Sequence, residues 1–584
     1  MLDIVSPYLY ASRMAHLHKK MKKGRPYYYV REMARVDGKP KVTNQVYLGS
    51  PERIMALAKG TGSALEKIQV QEFGALWLAN LIDQDVGIAQ IVDEAVPRGK
   101  NEIGPSVGEY FLYAVFNRMV DATSKRALAD WYGKTAIQQI RPVDIKALSS
   151  EKFWKKWDRV SQSQVESIAR EFFARLAQLE ISHSDCFLFD TTNYYTYMAG
   201  DTESDLAQTG KNKDGRYWLR QVGLALLVAR DTGLPFFYRE YEGNCHDSKV
   251  FQCVLEDVLD AMRKYGRHVV TLVVDKGMNS EDAMAVIDAM DNVHFVTSYS
   301  TYFAEELIHV GRDKFVVVDT EKNRRLRELD REDDQLTAWR TSGEYWGQTR
   351  TVVVTYNPLT ASKQRYKFEA KLRKLQSALY EIRSKVRSRA AQWRSEDPVR
   401  ERYRDICRDM HLPDTLYDLN FSVENRCLAM TFRKNQYRIE RHIDRFGKNV
   451  LITDRMDWST DEIVQASLDR YMVEQSFRQT KDDDLVNMMP MRHWTDSKIR
   501  CHVLSCIVAL SYLRLLEIRL SKAGLKLSAA TVMQEMQALH SCLCWHAGAR
   551  KAVRMLEEPG ETQAQILKAM GYEVCRGVLQ ELAM

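Results

Sequence analysis

Between Cys186 and Ser300 the chain alternates short apolar runs with amphipathic ones, in an order that few folds can satisfy. CFLFDTT is a short apolar run ending its core segment on Asp190, and QVGLALLVARDTGLPFFYREYEG reads as two strands about a turn at Asp231-Thr232-Gly233. KVFQCVLEDVLDAMRKYG repeats its apolar residues at three- and four-residue spacing, the period of a helix. VVTLVVDKG is a strand reaching Asp275, SEDAMAVIDAM a second helix and VHFVTSYS a last strand. Strands joined by a tight turn run antiparallel, whereas parallel neighbours need a long crossover, usually a helix. The order β, β-hairpin, α, β, α, β therefore predicts a mixed sheet covered by helices, an α/β fold class.

At 584 residues the chain exceeds one ordinary domain and reads as multi-domain. Residues 1–60 are expected to form a basic β-hairpin module, with YYYVREMARV and KPKVTNQVYLG flanking a turn at Asp37-Gly38. Residues 61–182 read as all-helical, because EFGALWLANLIDQ, EYFLYAVFNRMVD and SIAREFFARLAQL carry the helical period. The first part of the α/β core then spans 183–300, and 301–461 reads as a mostly β insertion broken by a charged helix at about Ser362 to Arg394. Residues 462–525 hold the second part of the core: the helix DEIVQASLDRYMVEQSFRQTKDDD and a very apolar, buried one, IRCHVLSCIVALSYLRLLEIRL. The last stretch, 526–584, reads as a helical C-terminal region.

Hydrophobic residues make up 45% and charged ones 28%, the proportions of a globular chain and not of a disordered one. No membrane span is expected, and the N-terminus places its basic residues after its apolar ones, the reverse of a signal peptide. A net charge of +7 is only a mild pointer to a polyanionic partner. Ten scattered Cys argue for a reducing compartment and against a disulfide framework. His540-Ser-Cys542-Leu-Cys544-Trp-His546 has zinc-ligand residue types, but no zinc spacing, and reads as a partly buried helix or turn.

Three carboxylates stand out. Asp190 and Asp275 each close an apolar strand, and ligands of α/β sheets bind outside the C-terminal strand ends. One such Asp more often starts a turn or caps a helix; two of them around one hairpin and helix weaken that reading. The third is Glu474, four residues after Arg470, four before Arg478 and seven before Lys481, so that all would share one helix face. That face could be ordinary solvated ion pairs. It could also be a metal-binding carboxylate flanked by cations that hold phosphate. Hydrolysing a phosphodiester needs an activated water and a stabilised leaving oxygen, which two oxygen-ligated Mg²⁺ ions supply.

These residues carry a resemblance. Arg470, three residues, Glu474, six residues, Lys481 is similar to the Tyr-Arg-Glu-Lys signature of DDE transposases of the IS4-like superfamily, and most closely of its IS1634-type group. Ser467 stands where that family has Tyr. FLFDTTNYYTY, the hairpin ending in Gly243-Asn244, VVDKGM, MPMRHWTDSKIRCHVLSCIVALSYL, FNRMVDATSKRALADWY and VYLGS resemble other family segments, weakest after about residue 525. The resemblance implies an RNase H-like core and a mostly β insertion ahead of the Glu helix. It further implies two Mg²⁺ (or Mn²⁺) ions per site on Asp190, Asp275 and Glu474, and phosphate contacts from Arg470, Arg478 and Lys481. Asp247 is a weaker supporting candidate. The implied partners are transposon terminal inverted repeats and target DNA, bound by a homodimer in the bacterial cytoplasm near the nucleoid. The implied reaction is end cleavage followed by joining of the 3′-OH. A metal-dependent nuclease without strand transfer and a non-catalytic DNA-binding relative are the alternatives.

Overall fold

The computed structural model describes residues 14–582 except 23–24, 37–38, 52–53, 55–64, 181–183, 211–214, 246, 267, 389–392, 425–426, 490 and 547–550. The chain opens with a three-stranded antiparallel sheet, β1 (Met14–Lys22), β2 (Arg25–Val36) and β3 (Lys39–Gly49). The expected hairpin supplies β2 and β3; its Asp37-Gly38 turn lies outside the described residues. Nothing local announces β1, because MAHLHKKMK is mostly basic. β4 (Leu65–Glu72) comes next and corrects the all-helical reading of 61–182. Helices follow it, among them α1 (Gly74–Val86), α2 (Val107–Val120) and α3 (Gln162–Leu179). Capping boxes at Ser106/Glu109 and Ser161/Gln164 start α2 and α3, each satisfying two orphan amide donors.

The centre of the molecule is a ten-stranded mixed sheet. Its members are β5 (Cys186–Thr196), β6 (Gln208–Thr209), β7 (Arg220–Ala229), β8 (Pro235–Glu242), β9 (Val270–Val274), β10 (Val293–Tyr299), β11 (Val316–Val317), β12 (Thr337–Tyr345), β13 (Gln348–Tyr356) and β16 (Lys448–Thr453). The order is β11-β12-β13-β16-β10-β9-β5-β7-β6, with β8 also on β7. β5, β9 and β10 are parallel, linked by the helices α4 (Asp247–Lys264) and α5 (Glu281–Asp288); the flanking pairs are antiparallel. The mixed sheet expected between 186 and 300 is thus present.

The stretch 301–461 departs from expectation. It carries more helix than strand, chiefly the 30-residue α6 (Pro358–Arg387) and α7 (Glu396–Asp409). Four of its strands are not set apart, because the open edge of β10 takes β16, and β13, β12 and β11 follow in turn. Only β14 (Tyr417–Glu424) and β15 (Cys427–Lys434) pair outside the central sheet, and they share a small separate core with α6 and α7 around Leu375, Leu379, Val399 and Leu416.

The remaining elements pack into the main core. The expected continuous helix near 470 is two, α8 (Thr460–Asp469) and α9 (Tyr471–Thr480), meeting at Arg470. α10 (Asp496–Lys522) is apolar on nearly every side; it is long and apolar enough to cross a membrane by composition, yet most of it is buried inside the protein. The helical reading of 526–584 also needs correction. His540–His546 is a strand, β17, which pairs with β4 and with β18 (Val553–Leu556), and β19 (Tyr572–Cys575) pairs with β20 (Val578–Glu581). The alternation in HSCLCWH is strand period: Ser541, Cys542 and Cys544 are buried and His540 meets Glu557. None of the ten Cys is in a disulfide.

Candidate active site on two neighbouring parallel strands

Cys186 to Phe189 of β5 and all five residues of β9 are buried; β9 ends one residue before Asp275 as expected, but β5 does not close on Asp190 and continues, paired with β7, to Thr196. β5 and β9 pair in parallel with Leu188 opposite Val273. The ladder ends there; continuing its register by two residues, past the end of β9, would set Asp190 opposite Asp275. Paired positions on neighbouring strands point to one face, and the strands lie about 4.8 Å apart. On that register the two acids are neighbours.

One guanidinium spans them. Arg470 Nη1 donates to Asp275 Oδ1 at 2.9 Å, and Nη2 lies 3.8 Å from Asp190 Oδ2. The Thr191 amide donates to Asp190 Oδ1 at 2.8 Å, and Ser298 Oγ donates to Asp275 Oδ1 at 3.1 Å. Burial pushes the Asp275 carboxyl up, but the Arg470 charge, the Lys276 amide and the Ser298 hydroxyl outweigh it and hold it below the usual carboxylate range. Arg470 Nε is itself buried, with no partner among the described residues.

Arg470 is placed by its neighbour. Asp469 ends α8, is buried, and accepts from Arg230 Nε at 2.6 Å and from Gln465 Nε2 at 2.6 Å. Arg230 follows β7 and donates its amide to the Cys186 carbonyl at the start of β5. A buried pair thus ties the helix junction to the strand that carries Asp190. Sequence reading passes over Asp469 and Arg230, since nothing local marks two residues 239 apart as partners.

At the far end of α9, Lys481 Nζ donates to Thr192 Oγ1 at 2.9 Å, two residues past Asp190. Four of the six residues singled out in the sequence, Asp190, Asp275, Arg470 and Lys481, are thus gathered where β9 ends beside β5. Glu474 and Arg478 are exposed on α9. Among the described residues no three acid, His or Cys side chains converge as a metal-holding group, so Glu474 does not join the Asp pair in this conformation. The Asp247 side chain lies outside the described residues. Chemically, two carboxylates within reach of one guanidinium are a hard-oxygen donor pair that fits Mg²⁺ or Mn²⁺, and Arg470 supplies the positive charge they need without one.

The family model described as "Transposase DDE domain" matches residues 184–511, more than half of the chain and all six of these positions. No curated protein matches the chain. Among solved structures, the piggyBac transposase synaptic complex with hairpin DNA aligns over 81% of this chain and 82% of that one, at 9% identity and a TM-score of 0.38, too distant to assign any element or residue.

Proposed function

Because the chain belongs to the transposase DDE domain family, we propose that it cuts the ends of an insertion sequence and joins the freed 3′-OH to target DNA. The observation that carries this reading is that Arg470 reaches both Asp190, within β5, and Asp275, just past the end of the neighbouring parallel strand β9. Asp190, Asp275 and Glu474 are the residues that would hold divalent cations, Mg²⁺ or Mn²⁺, two per site. Bound there, such ions supply an activated water and a counter-charge for the leaving 3′ oxygen. Asp275 must first be released by Arg470. Arg470 sits one helical turn before Glu474, so movement at the α8–α9 junction would free the guanidinium for a phosphate and turn the Glu474 face toward the acids together. Lys481 and Arg478 extend the phosphate contacts along α9.

This reading places the chain in the IS4-like superfamily, IS1634-type group, with an RNase H-like core formed by β5 to β10. The residues between β10 and α8 are then the insertion, and the DNA partners are terminal inverted repeats and a target, held by a homodimer in the bacterial cytoplasm. A second reading, a relative that binds DNA without cutting it, draws on the exposure of Glu474 away from the Asp pair.

The test is a duplex carrying the inverted repeat that brackets the gene, incubated with protein and Mg²⁺ or Mn²⁺. The expected result is cleavage, lost by about a thousandfold or more in Asp190→Asn and in Glu474→Gln. Cleavage retained in either variant sinks the site assignment. No cleavage by the wild type, with the duplex still bound, favours the second reading, and pre-cleaved ends that are never joined to a plasmid indicate a nuclease.

A further inference from the structure

The loop that leaves α9 is bent in a way its residues resist. Val486 and Asn487 have φ of 61° and 41°, both left-handed, and a β-branched residue is rare there. Such backbone persists only where its surroundings over-determine it, and it clusters at working sites. What holds this turn is Arg118, in the last turn of α2. Its Nη1 donates to the Asn487 carbonyl at 2.9 Å and to the Val486 carbonyl at 3.3 Å, while the Val486 amide donates back to the Arg118 carbonyl at 2.8 Å. Nη2 takes Asn117 Oδ1 at 3.1 Å and the Thr123 carbonyl. Arg118 is 5% exposed, and among the described residues its acceptors are backbone carbonyls and one side-chain amide, with no carboxylate. A buried guanidinium spent on two consecutive strained carbonyls is shaped to fix backbone and does not neutralise a charge.

The turn in turn fixes α9. The Met488 amide donates to the Thr480 carbonyl at 2.8 Å, and Thr480 Oγ1 hydrogen-bonds the hydroxyl of Tyr194 on β5. Next along is Lys481, with its contact to Thr192. We propose that Arg118, which lies outside the matched family span, is a positioning residue for α9: by clamping Val486–Asn487 it sets the register of the helix carrying Glu474 and Lys481 against β5. The value of this for catalysis rests on the functional reading above. The geometry of the clamp does not.

The test is therefore split. Hydrogen exchange on the full chain, without metal or DNA, reads the clamp alone. Arg118→Lys keeps the charge but loses the fork, and is expected to speed amide exchange in residues 477–489 by about tenfold while β5 and β9 stay as in the wild type. Asn487→Gly, added to Arg118→Lys, is expected to return exchange to within about threefold of the wild type, because glycine takes a positive φ freely. Unchanged exchange in 477–489, an equal rise in β5 and β9, or a double variant as fast as the single overturns the proposal. If Arg118→Lys alone does not fold, the double variant must; failure of both also overturns it. The second arm measures Mn²⁺-dependent end cleavage, where Arg118→Lys should lower kcat about tenfold with KM unchanged. A wild type that does not cleave defeats the functional reading and leaves the exchange arm to decide the clamp.

Discussion

Arg470 does for the two acids what a cation would do. With its guanidinium removed, Asp275 loses the largest charge that holds its carboxyl down. In Arg470→Gln the Asp275 carboxyl should therefore rise from its depressed position. The sign follows from linkage: a carboxyl held below its unfolded value adds stability that is present above that value and is lost as pH falls through the folded one. The stability gap between wild type and Arg470→Gln, followed by urea midpoints, should thus be open near neutral pH and close below about pH 4. In the same variant Mn²⁺ has no guanidinium to displace, so calorimetry should show affinity raised severalfold while end cleavage falls. Equal or weaker Mn²⁺ binding would show that Arg470 supports the site and does not compete for it. Glu474→Gln separates function from fold more simply. Glu474 is exposed, so its melting temperature should stay within about 2 °C of the wild type while cleavage disappears. Asp275 is legible in the sequence because burial of β9 forces the next polar residue to its rim; Asp190 is legible only as the first charged residue of β5, since that strand runs on to Thr196. Glu474 and Arg478 do share α9 and are both exposed, but the grouping of Glu474 with Arg470 fails, because a shared face presumes one unbroken helix. Here the helix breaks at Arg470, whose side chain turns into the acids.

At the scale of elements, the break itself is held by Asp469 and Arg230, with side chains 10% and 16% exposed. Asp469→Asn leaves Arg230 desolvated without its anion, and breaking one partner of such a buried pair costs about 3–5 kcal/mol. Denaturant unfolding should show that loss. If cleavage falls further than the folded fraction, the junction positions Arg470 as well as stabilising the sheet. A change under about 1 kcal/mol would mean solvent reaches the pair. The same pair shows what a one-dimensional reading can see. β7 and β9 are readable because they are apolar over most of their length, and β5, β8 and β10 because each opens on a mostly apolar run. β4 and β17 are not, since LEKIQVQE borders a helical stretch and HSCLCWH draws the eye to its ligand types and not its period. Their pairing joins Gln71 to Ser541, a contact no local pattern announces.

The whole molecule is built on two cores of unequal standing. β4 pairing with β17 weaves the early chain to the late one, and Leu556, Ile566 and Leu567 belong to the main core, so removing the C-terminal strands should unfold far more than it deletes. Residues 358–446 differ: their apolar side chains close on one another around Leu375 and Leu416. Their ends also meet. Tyr356 of β13 pairs with Lys448 of β16, and the Asn357 amide donates to the Gly447 carbonyl at 2.8 Å. Deleting 358–446 leaves Tyr356-Asn357-Gly447-Lys448, an Asn-Gly dipeptide between antiparallel partners already in register. That is the preferred two-residue hairpin turn, whose twist matches the strands, and Gly447 already has a φ of 73°. The deletion also removes the ion pairs that Arg441 and Arg445 make with Glu305, which is half exposed. Surface pairs of this kind contribute under about 1 kcal/mol each. The shortened chain should therefore be monodisperse and unfold in one transition within about 5 °C of the full chain's main one, and its exchange protection at β5, β9 and β10 should be unchanged. Aggregation, or lost protection at β10, would show that the second core braces the sheet. A folded deletion that binds Mn²⁺ normally but no longer cuts DNA would place the work of 358–446 on the DNA and not on the metal site.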